Sequence, residues 1–512
     1  MTRGAGWDVV VVGGGSAGSA LAARLSEDPD RRVLLLEAGP APRRAADFPA
    51  VIRDGTTVAA AAPGNAAAWT YRTELIPGRA YDLVRGRILG GSSAINGGYF
   101  VRPRATDLER WAAAGGPPWS YAAALPVLRA METDLDYGAT DVHGGDGPTP
   151  VRRAGADHPV ARAFIEAALA AGHPLEADKN APGTPGVGPV PQNVVAGVRR
   201  NAAMQYLLPA LRRPNLDVRG GAVARRIRFD GTRARGVELA GEEVLYGDEV
   251  VLCAGSVATP HLLLLSGIGP ADELRRHGIP VVADLPGVGR DFTDHPNVTL
   301  TWHARPGVVA RRPLDGSPFA TALNWRARGA ASGDLELLVG LRRFDELLPG
   351  LGMPHRLPVI LGWQAEGSRG RLTLVPDPTA PPLLEHHYLS SADDRALARH
   401  GVRAAAGLLA RREFAPVFAG LTDVAADVLQ DDRALDAWVR SHLGTAIHLC
   451  GSARMGPASD PGAVTDGAGR VHGTERLRLA DTSILPVTPT RGPAASAILV
   501  GEIIARGMRG TA

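Results

Sequence analysis

Lysine and cysteine are almost missing from this chain. Lys179 is the only lysine among 512 residues, so nearly all of the 56 basic residues are arginine, and Cys253 and Cys450 are the only cysteines. Two thiols far apart in sequence, in apolar or glycine-rich surroundings and without a C-x-x-C pair, exclude a disulfide framework and are expected to stay reduced in a cytoplasmic protein. Histidines are not arranged for a metal either. His386 and His387 are adjacent and would point to opposite faces of a strand, and no histidine or cysteine pair has ligand spacing, so no metal site is expected. Charge of one sign is also lacking: 56 basic against 53 acidic residues leave a net charge of +3. The arginines are dispersed rather than gathered in runs, which argues against nucleic acid as a partner. No apolar run approaches the roughly 18 residues of a membrane span, which excludes a transmembrane segment but not peripheral contact at the inner face of a membrane. The opening residues MTRGAGWDVV lead directly into an apolar strand pattern and leave no room for a signal peptide. There is no internal repeat and no low-complexity tail.

What is present begins with length: 512 residues call for two cores. The most informative stretch runs from Trp7 to Glu37. Val9, Val10, Val11 and Val12 predict a strand buried on both faces, as in a parallel sheet. Gly13, Gly15 and Gly18 follow at G-x-G-x-x-G spacing, for a tight turn, a close approach of backbone to a pyrophosphate, and close helix packing, respectively. The helix that follows, with Leu21 and Leu25 on one face, turns its N-terminus toward the phosphates and ends before Asp28, Pro29 and Asp30. Val33 to Leu36 then predict a second strand, and Glu37 stands where an acid can bind a ribose diol. Strand, turn, helix, strand and acid in order predict a dinucleotide socket.

The connection from Glu37 to Trp69 and Tyr71 has little periodicity and reads as irregular surface. A second glycine loop follows, RGRILGGSSAINGGYFVRP at 85–103, in which Gly90, Gly91, Gly97 and Gly98 bracket Ser92, Ser93 and Asn96. Ile88, Leu89 and Ile95 between the glycines argue for an ordered loop that crowds against a bulky polar group. Later, GSVATPHLLLLSGIGP at 255–270 follows an apolar strand pattern from Glu249 to Cys253. Arg199 to Pro214 reads as a helix, and Asn215 to Leu239 as paired strands turning at Asp230-Gly231. Leu335–Val339, Val359–Trp363 and Arg371–Val375 alternate as antiparallel strands do, and an Ala- and Leu-rich helical stretch begins at Asp393.

The two later glycine segments resemble the two sequence motifs of the glucose-methanol-choline (GMC) oxidoreductases, flavoenzymes that oxidise alcohols. The resemblance extends to Asp294-His295-Pro296, to His448 with Gly451, Arg454, Met455 and Gly456, and to Asp481, and so covers essentially the whole chain. It implies an α/β fold in which a Rossmann-like FAD-binding domain (1–150, 195–300 and 445–512) carries a second, α+β substrate domain built on an antiparallel sheet (151–194 and 301–444). It implies FAD held by Gly13, Gly15, Ser16, Ala17, Gly18, Glu37, Ala38, Leu89, Gly91, Ser92, Asn96, Gly97, Gly98, Val223, Asp481 and Pro493, with Val223 meeting the adenine through its backbone.

His448 is then the expected general base, taking the hydroxyl proton while the substrate carbon gives hydride to flavin N5. Two departures from the family pattern carry expectations of their own. The family has a His or Asn before the proline that corresponds to Pro493, but this chain has Gly492. Either His448 works alone, or Arg491 or Thr490 turns into the space, an arginine there being able to contact substrate or flavin; the alternative for Arg491 is that it points to solvent. In the first loop, Ile95 and Asn96 stand where some relatives carry a flavin-linked histidine, so FAD is expected to be non-covalent. The expected partners are a small-molecule alcohol or a reduced redox carrier and an electron acceptor, whether quinone, respiratory chain or oxygen. Dehydrogenase behaviour is favoured over oxidase. GYFVRP and Gly492 are similar to the branch of the family associated with mycofactocin, whose donor would be the reduced carrier. The alternatives are a choline- or aliphatic-alcohol-type enzyme and an FAD-binding relative without turnover. An NAD-dependent dehydrogenase is disfavoured, having no use for the second glycine loop or Asp481.

Overall fold

The computed structural model of the chain describes residues 6–308, 314–327, 334–349, 355–364 and 367–510. Residues 1–5, part of the opening stretch read against a signal peptide, lie outside the described residues. A parallel sheet forms around Trp7–Val12, flanked by Val33–Leu36 on one side and Val244–Leu252 on the other. Leu216–Arg219 extends one edge and Leu477–Leu479 the other. The apolar runs have no polar face because both faces are covered. Ser16–Leu25 packs against the sheet and against the last helix, Ala494–Arg509, with Leu21 and Leu25 fully buried. The hairpin Ala224–Asp230 and Arg233–Leu239, turning at the left-handed Gly231, continues antiparallel from Val244–Leu252.

A second, antiparallel sheet runs in the order Phe418–Leu421, Pro296–Ala304, Leu357–Trp363, Asp334–Val339, Thr321–Arg326, Val187–Pro189. Pro159–Ala170, Ala392–Leu409 and Asp432–His442 supply its helices, and Trp302, Trp363, Phe164 and Phe414 fill a core separate from that of the parallel sheet. Two connections matter for chemistry. Asp294 and His295 directly precede Pro296–Ala304, and Leu443–Thr445, paired to the same strand, leads into Ile447 and His448. Both histidines thus lie where the second sheet meets the first core. No helix among the described residues is long and apolar enough to cross a membrane.

Three local expectations need correction. The helix read over Arg199 to Pro214 is confined to Ala203–Ala210 and begins as a wide, π-type turn. Its start is held back because Arg199 is buried, donating to the carbonyls of Ile52, Ala94 and Thr57, and because Asn201 Oδ1 accepts the Met204 amide at 3.0 Å. The connection after Glu37 is not mere surface: Phe48, Ile52 and Ala60 are fully buried, too sparse among Ala, Pro and Arg to show a period. Trp69 and Tyr71 lie in Ala68–Ile76, which pairs with Arg79–Gly86. The strand before the 255–270 segment starts at Val244 rather than Glu249.

Candidate active site

A cavity of about 810 Å³ runs from the first glycine turn to His448. At one end, Gly13 is left-handed (φ +106°), and a Cβ there would lie 2.5 Å from the Cys253 carbonyl oxygen, so no other residue fits the turn. A Cβ on Gly15 would meet nothing nearer than 3.9 Å, which leaves its backbone open to a ligand, while one on Gly18 would collide with the Gly13 carbonyl. The helix Ser16–Leu25 has no side-chain cap, so its first amides remain available for phosphate. Glu37 does more than await a ribose. Its Oε2 accepts the Gly14 amide at 3.0 Å and its Oε1 the Gly39 amide at 2.8 Å, bracing the loop, and each oxygen keeps a second lone pair.

The second glycine loop folds onto the first. Gly91 packs on Gly15 so closely that a Cβ would lie 2.7 Å from Gly15 Cα. Ser92, Asn96 and Gly97 line the cavity, as do Ser16, Ala17, Ala38, Val223, Asp481, Gly492 and Pro493. Gly18, Leu89 and Gly98 do not. They shape the loops from behind, Leu89 against Gly14 and the left-handed Gly98 against Val194. Asp481 closes the far wall, with Oδ2 accepting the Gly255 amide at 2.8 Å and the Thr259 hydroxyl at 2.6 Å. It therefore caps the helix Gly255–Leu265. Sequence reasoning missed Arg85, Trp69, Tyr71 and Tyr99 as lining residues. Arg85 and Tyr99 carried a signal, since both fall within the 85–103 glycine loop.

At the other end Ile447 adopts a left-handed backbone (φ +62°), a costly conformation for a β-branched residue, which turns His448 into the cavity. Hydrogen bonds hold that turn. Arg85 Nη1 donates to the Ile447 carbonyl at 2.8 Å, Thr445 Oγ1 accepts the Ile447 amide at 3.0 Å, and Asp294 Oδ1 accepts the amides of His448 and His295 at 2.6 and 2.7 Å. Asp294 Oδ2 accepts from Thr445 Oγ1 at 2.9 Å and lies 3.3 Å from His386 Nε2. Burial would raise the pKa of Asp294, but His386, His448 and Arg85 outweigh it and keep the carboxylate ionised.

The imidazole of His448 meets that of His295 edge to face, Nδ1 to Nδ1 at 2.9 Å. One Nδ1 must donate and the other accept, so each ring restricts the tautomer of the other; with the shared proton on His448 Nδ1, His448 Nε2 is a bare lone pair. Burial, reinforced by the neighbouring His295, brings His448 down to about 3, and burial brings His295 down to about 4, so both are neutral near pH 7. A neutral imidazole with a fixed free nitrogen can accept a proton from a hydroxyl.

Arg491 follows neither sequence expectation. It is 1% exposed, does not line the cavity, and reaches away to Glu176, with Nη2 to Oε1 at 3.2 Å. A buried guanidinium needs compensating acceptors, and Arg491 meets the Glu176 carboxylate and the Thr490 carbonyl. Among the described residues, no group of three potential metal ligands lies in the cavity. Elsewhere, Glu132, Asp134 and His143 bring ligand atoms within 4.8 Å of one another, but Arg102 pairs with Glu132 at 2.6 Å and Arg153 with Asp134 at 2.9 Å, so cations already neutralise the carboxylates.

Comparison with known proteins decides the family. The GMC oxidoreductase family model matches residues 7–297 in its N-terminal part and residues 366–501 in its C-terminal part. The chain belongs to the GMC oxidoreductases. It is 42% identical over 507 residues to the uncharacterized GMC-type oxidoreductase in the thcA 5' region of Rhodococcus erythropolis, covering 97% of each chain. It is 36% identical to an oxygen-dependent choline dehydrogenase of Rhizobium etli, covering 97% of this chain and 94% of that one. Among solved structures, pyridoxine 4-oxidase from Mesorbium loti superposes with a TM-score of 0.88 at 31% identity over 98% of this chain and 99% of that chain. This GMC oxidoreductase is accordingly FAD-dependent, and its cavity fits the cofactor: an open glycine turn, an uncapped helix N-terminus, and a second loop laid across the first.

Proposed function

We infer that this GMC oxidoreductase oxidises a small alcohol at a CH–OH group, with His448 Nε2 as the general base. The observation that carries the reading is the His295–His448 contact at the end of the cavity, which supports a neutral His448 with its proton on Nδ1 and Nε2 free to accept one. FAD, when bound, supplies the hydride acceptor at N5. The remaining work falls to the chain. Asp294 holds both histidine amides, His295 fixes the tautomer, and residues Asn96, Gly97, Tyr99 and Gly492 bound the space in which an alcohol can sit. We take 1–150, 195–300 and 445–512 as the FAD-binding part and 151–194 with 301–444 as the substrate part.

FAD is proposed to be non-covalent. Ile95 and Asn96 line the cavity and offer no nucleophile, Cys253 is buried with its thiol pushed well above the usual range by desolvation, and His261 is engaged with the Pro378 carbonyl. The donor is proposed to be an ordinary small alcohol. No contact among the described residues favours the narrower reading of a mycofactocin-type carrier. The electron acceptor is a quinone, the respiratory chain or oxygen. The test is anaerobic mixing of the holoenzyme with a panel of primary and secondary alcohols, choline included, followed by oxygen or a soluble quinone. Bleaching of the flavin by an alcohol supports the reading, and a flavin that stays oxidised with the entire panel overturns it.

A further inference from the structure

Tyr99 and Gly492 occupy the same corner of the cavity as His448. A Cβ on Gly492 would lie 3.1 and 3.2 Å from Cδ1 and Cε1 of Tyr99 and 3.5 Å from Cε1 of His448. The tyrosine ring therefore fills the space into which any side chain at 492 would grow. Its hydroxyl is not loose. Tyr99 Oη donates to Glu336 Oε2 at 2.8 Å, and the same oxygen accepts from Asn324 Nδ2 at 3.0 Å.

Behind this pair the contacts form a closed ring. Asn324 Oδ1 accepts from Lys179 Nζ at 3.1 Å, Lys179 pairs with Glu176 Oε2 at 2.5 Å, and Glu176 Oε1 pairs with Arg491, the residue before Gly492. The only lysine of the chain thus sits fully buried in a circuit that begins at Tyr99 and returns to its neighbour. Lys179, Arg491, Glu176 and Glu336 are all less than 10% exposed, and two cations balance two carboxylates. Such a network is costly unless fully satisfied, and when satisfied it fixes geometry. Here the geometry it fixes is that of a phenol ring facing the base.

We propose that Tyr99 is a specificity-determining residue against which the carbon skeleton of the alcohol packs opposite His448, and that Glu336 is the positioning residue that holds its ring. The inference rests on the alcohol-oxidising function proposed above. Because the phenol proton is spent on Glu336, Tyr99 presents to the cavity an aromatic surface and no donor. It selects by shape.

The experiment uses holoenzyme of wild type, Tyr99→Ala, Tyr99→Phe, Gly492→Ala, the double variant Tyr99→Ala/Gly492→Ala, Glu336→Gln and Glu336→Ala, each checked for FAD content and melting temperature. Three readouts are taken with a series of linear, branched and aryl primary alcohols: the rate of anaerobic flavin reduction, steady-state kcat and KM, and the Kd of the corresponding aldehydes by calorimetry. Tyr99→Ala should shift the preference between bulky and small members by about tenfold or more, the scale of a remodelled apolar pocket. Gly492→Ala should weaken binding by crowding the ring, and the double variant should recover most of that loss. Tyr99→Phe, which cannot bond Glu336, should raise KM more than it lowers kcat, and Glu336→Gln, which can still accept from Tyr99, should stay closer to wild type than Glu336→Ala. An unchanged preference order in folded, FAD-replete Tyr99→Ala overturns the proposal while leaving the alcohol reading intact. If no alcohol reduces wild-type flavin, the aldehyde Kd order still tests Tyr99, and no aldehyde binding at all overturns both.

Discussion

Asp294 Oδ1 receives the backbone amide of His448 at 2.6 Å across 154 residues of chain. One buried carboxylate therefore joins the end of the first core to the loop that carries His448. The same oxygen takes the His295 amide, and the other takes Thr445, so the position of both imidazoles depends on it. Asp294→Asn would present an amide N–H₂ to at least one of these donors. The expected outcome is a loss of stability on the order of 3 kcal/mol, the usual cost of breaking a buried charged partnership. Flavin reduction should slow together with it. Chemical denaturation and stopped flow measure the two effects separately, and an unaltered midpoint in Asp294→Asn would remove Asp294 from this structural role.

His448→Ala should keep FAD and slow anaerobic flavin reduction by about 10² to 10⁴, the contribution of a positioned general base. His295→Leu tests the tautomer. It removes the acceptor for His448 Nδ1–H, so the wrong nitrogen can carry the proton, and a loss of about tenfold, one hydrogen bond of orientation, is expected. The pH profile distinguishes the two variants. A His295→Leu enzyme should keep the base-dependent limb at reduced amplitude and displaced to higher pH, because His295 helps to hold the pKa of His448 down, whereas His448→Ala should lose that limb altogether.

How far the sequence could be read follows from the range of the interactions. The turn at Gly13, Gly15 and Gly18 was legible because each glycine answers a demand of the backbone within a few residues, and the structure shows the same demands met. Asp294, His295 and His448 were legible as motif residues, but their mutual contact was not, since no spacing in sequence announces a pair separated by 153 positions. Arg491 shows the limit most clearly. Its neighbours in sequence suggested flavin or solvent, yet its partner is Glu176, 315 residues away. Helix start at Arg199 failed for a related reason: burial of that guanidinium among three backbone carbonyls overrides local propensity.

Denaturation tests how the cofactor is held. With Ile95 and Asn96 in the second loop and no free nucleophile beside them, acid or heat should release FAD into the supernatant. Flavin fluorescence of the supernatant against that of the precipitate measures it, and flavin that stays with the polypeptide would establish a covalent link that the lining residues do not suggest.

The cluster around His143 supports a prediction about pH that is independent of catalysis. His143 Nδ1 lies 2.9 Å from Glu132 and Nε2 lies 2.6 Å from Asp178, while Arg102 and Arg153 pair with the same carboxylates and with Asp134. With Asp136, 3.3 Å from Arg153, four carboxylates share two arginines, and a protonated His143 supplies the third cation. Burial alone would lower its pKa, but the bonds to Asp178 and Glu132 prevail and raise it to about 9. An unfolded histidine titrates near 6.5. Between these values the folded state holds a proton that the unfolded state has released, so stability falls as pH rises. The contribution is complete below about 6.5 and lost as pH passes about 9. His143→Gln removes this titration. The difference in melting temperature between wild type and variant should therefore be largest near pH 6 and shrink toward pH 9.5. A difference that stays constant across that range would mean that His143 is neutral in the folded protein and that its hydrogen bonds, not its charge, hold the cluster together.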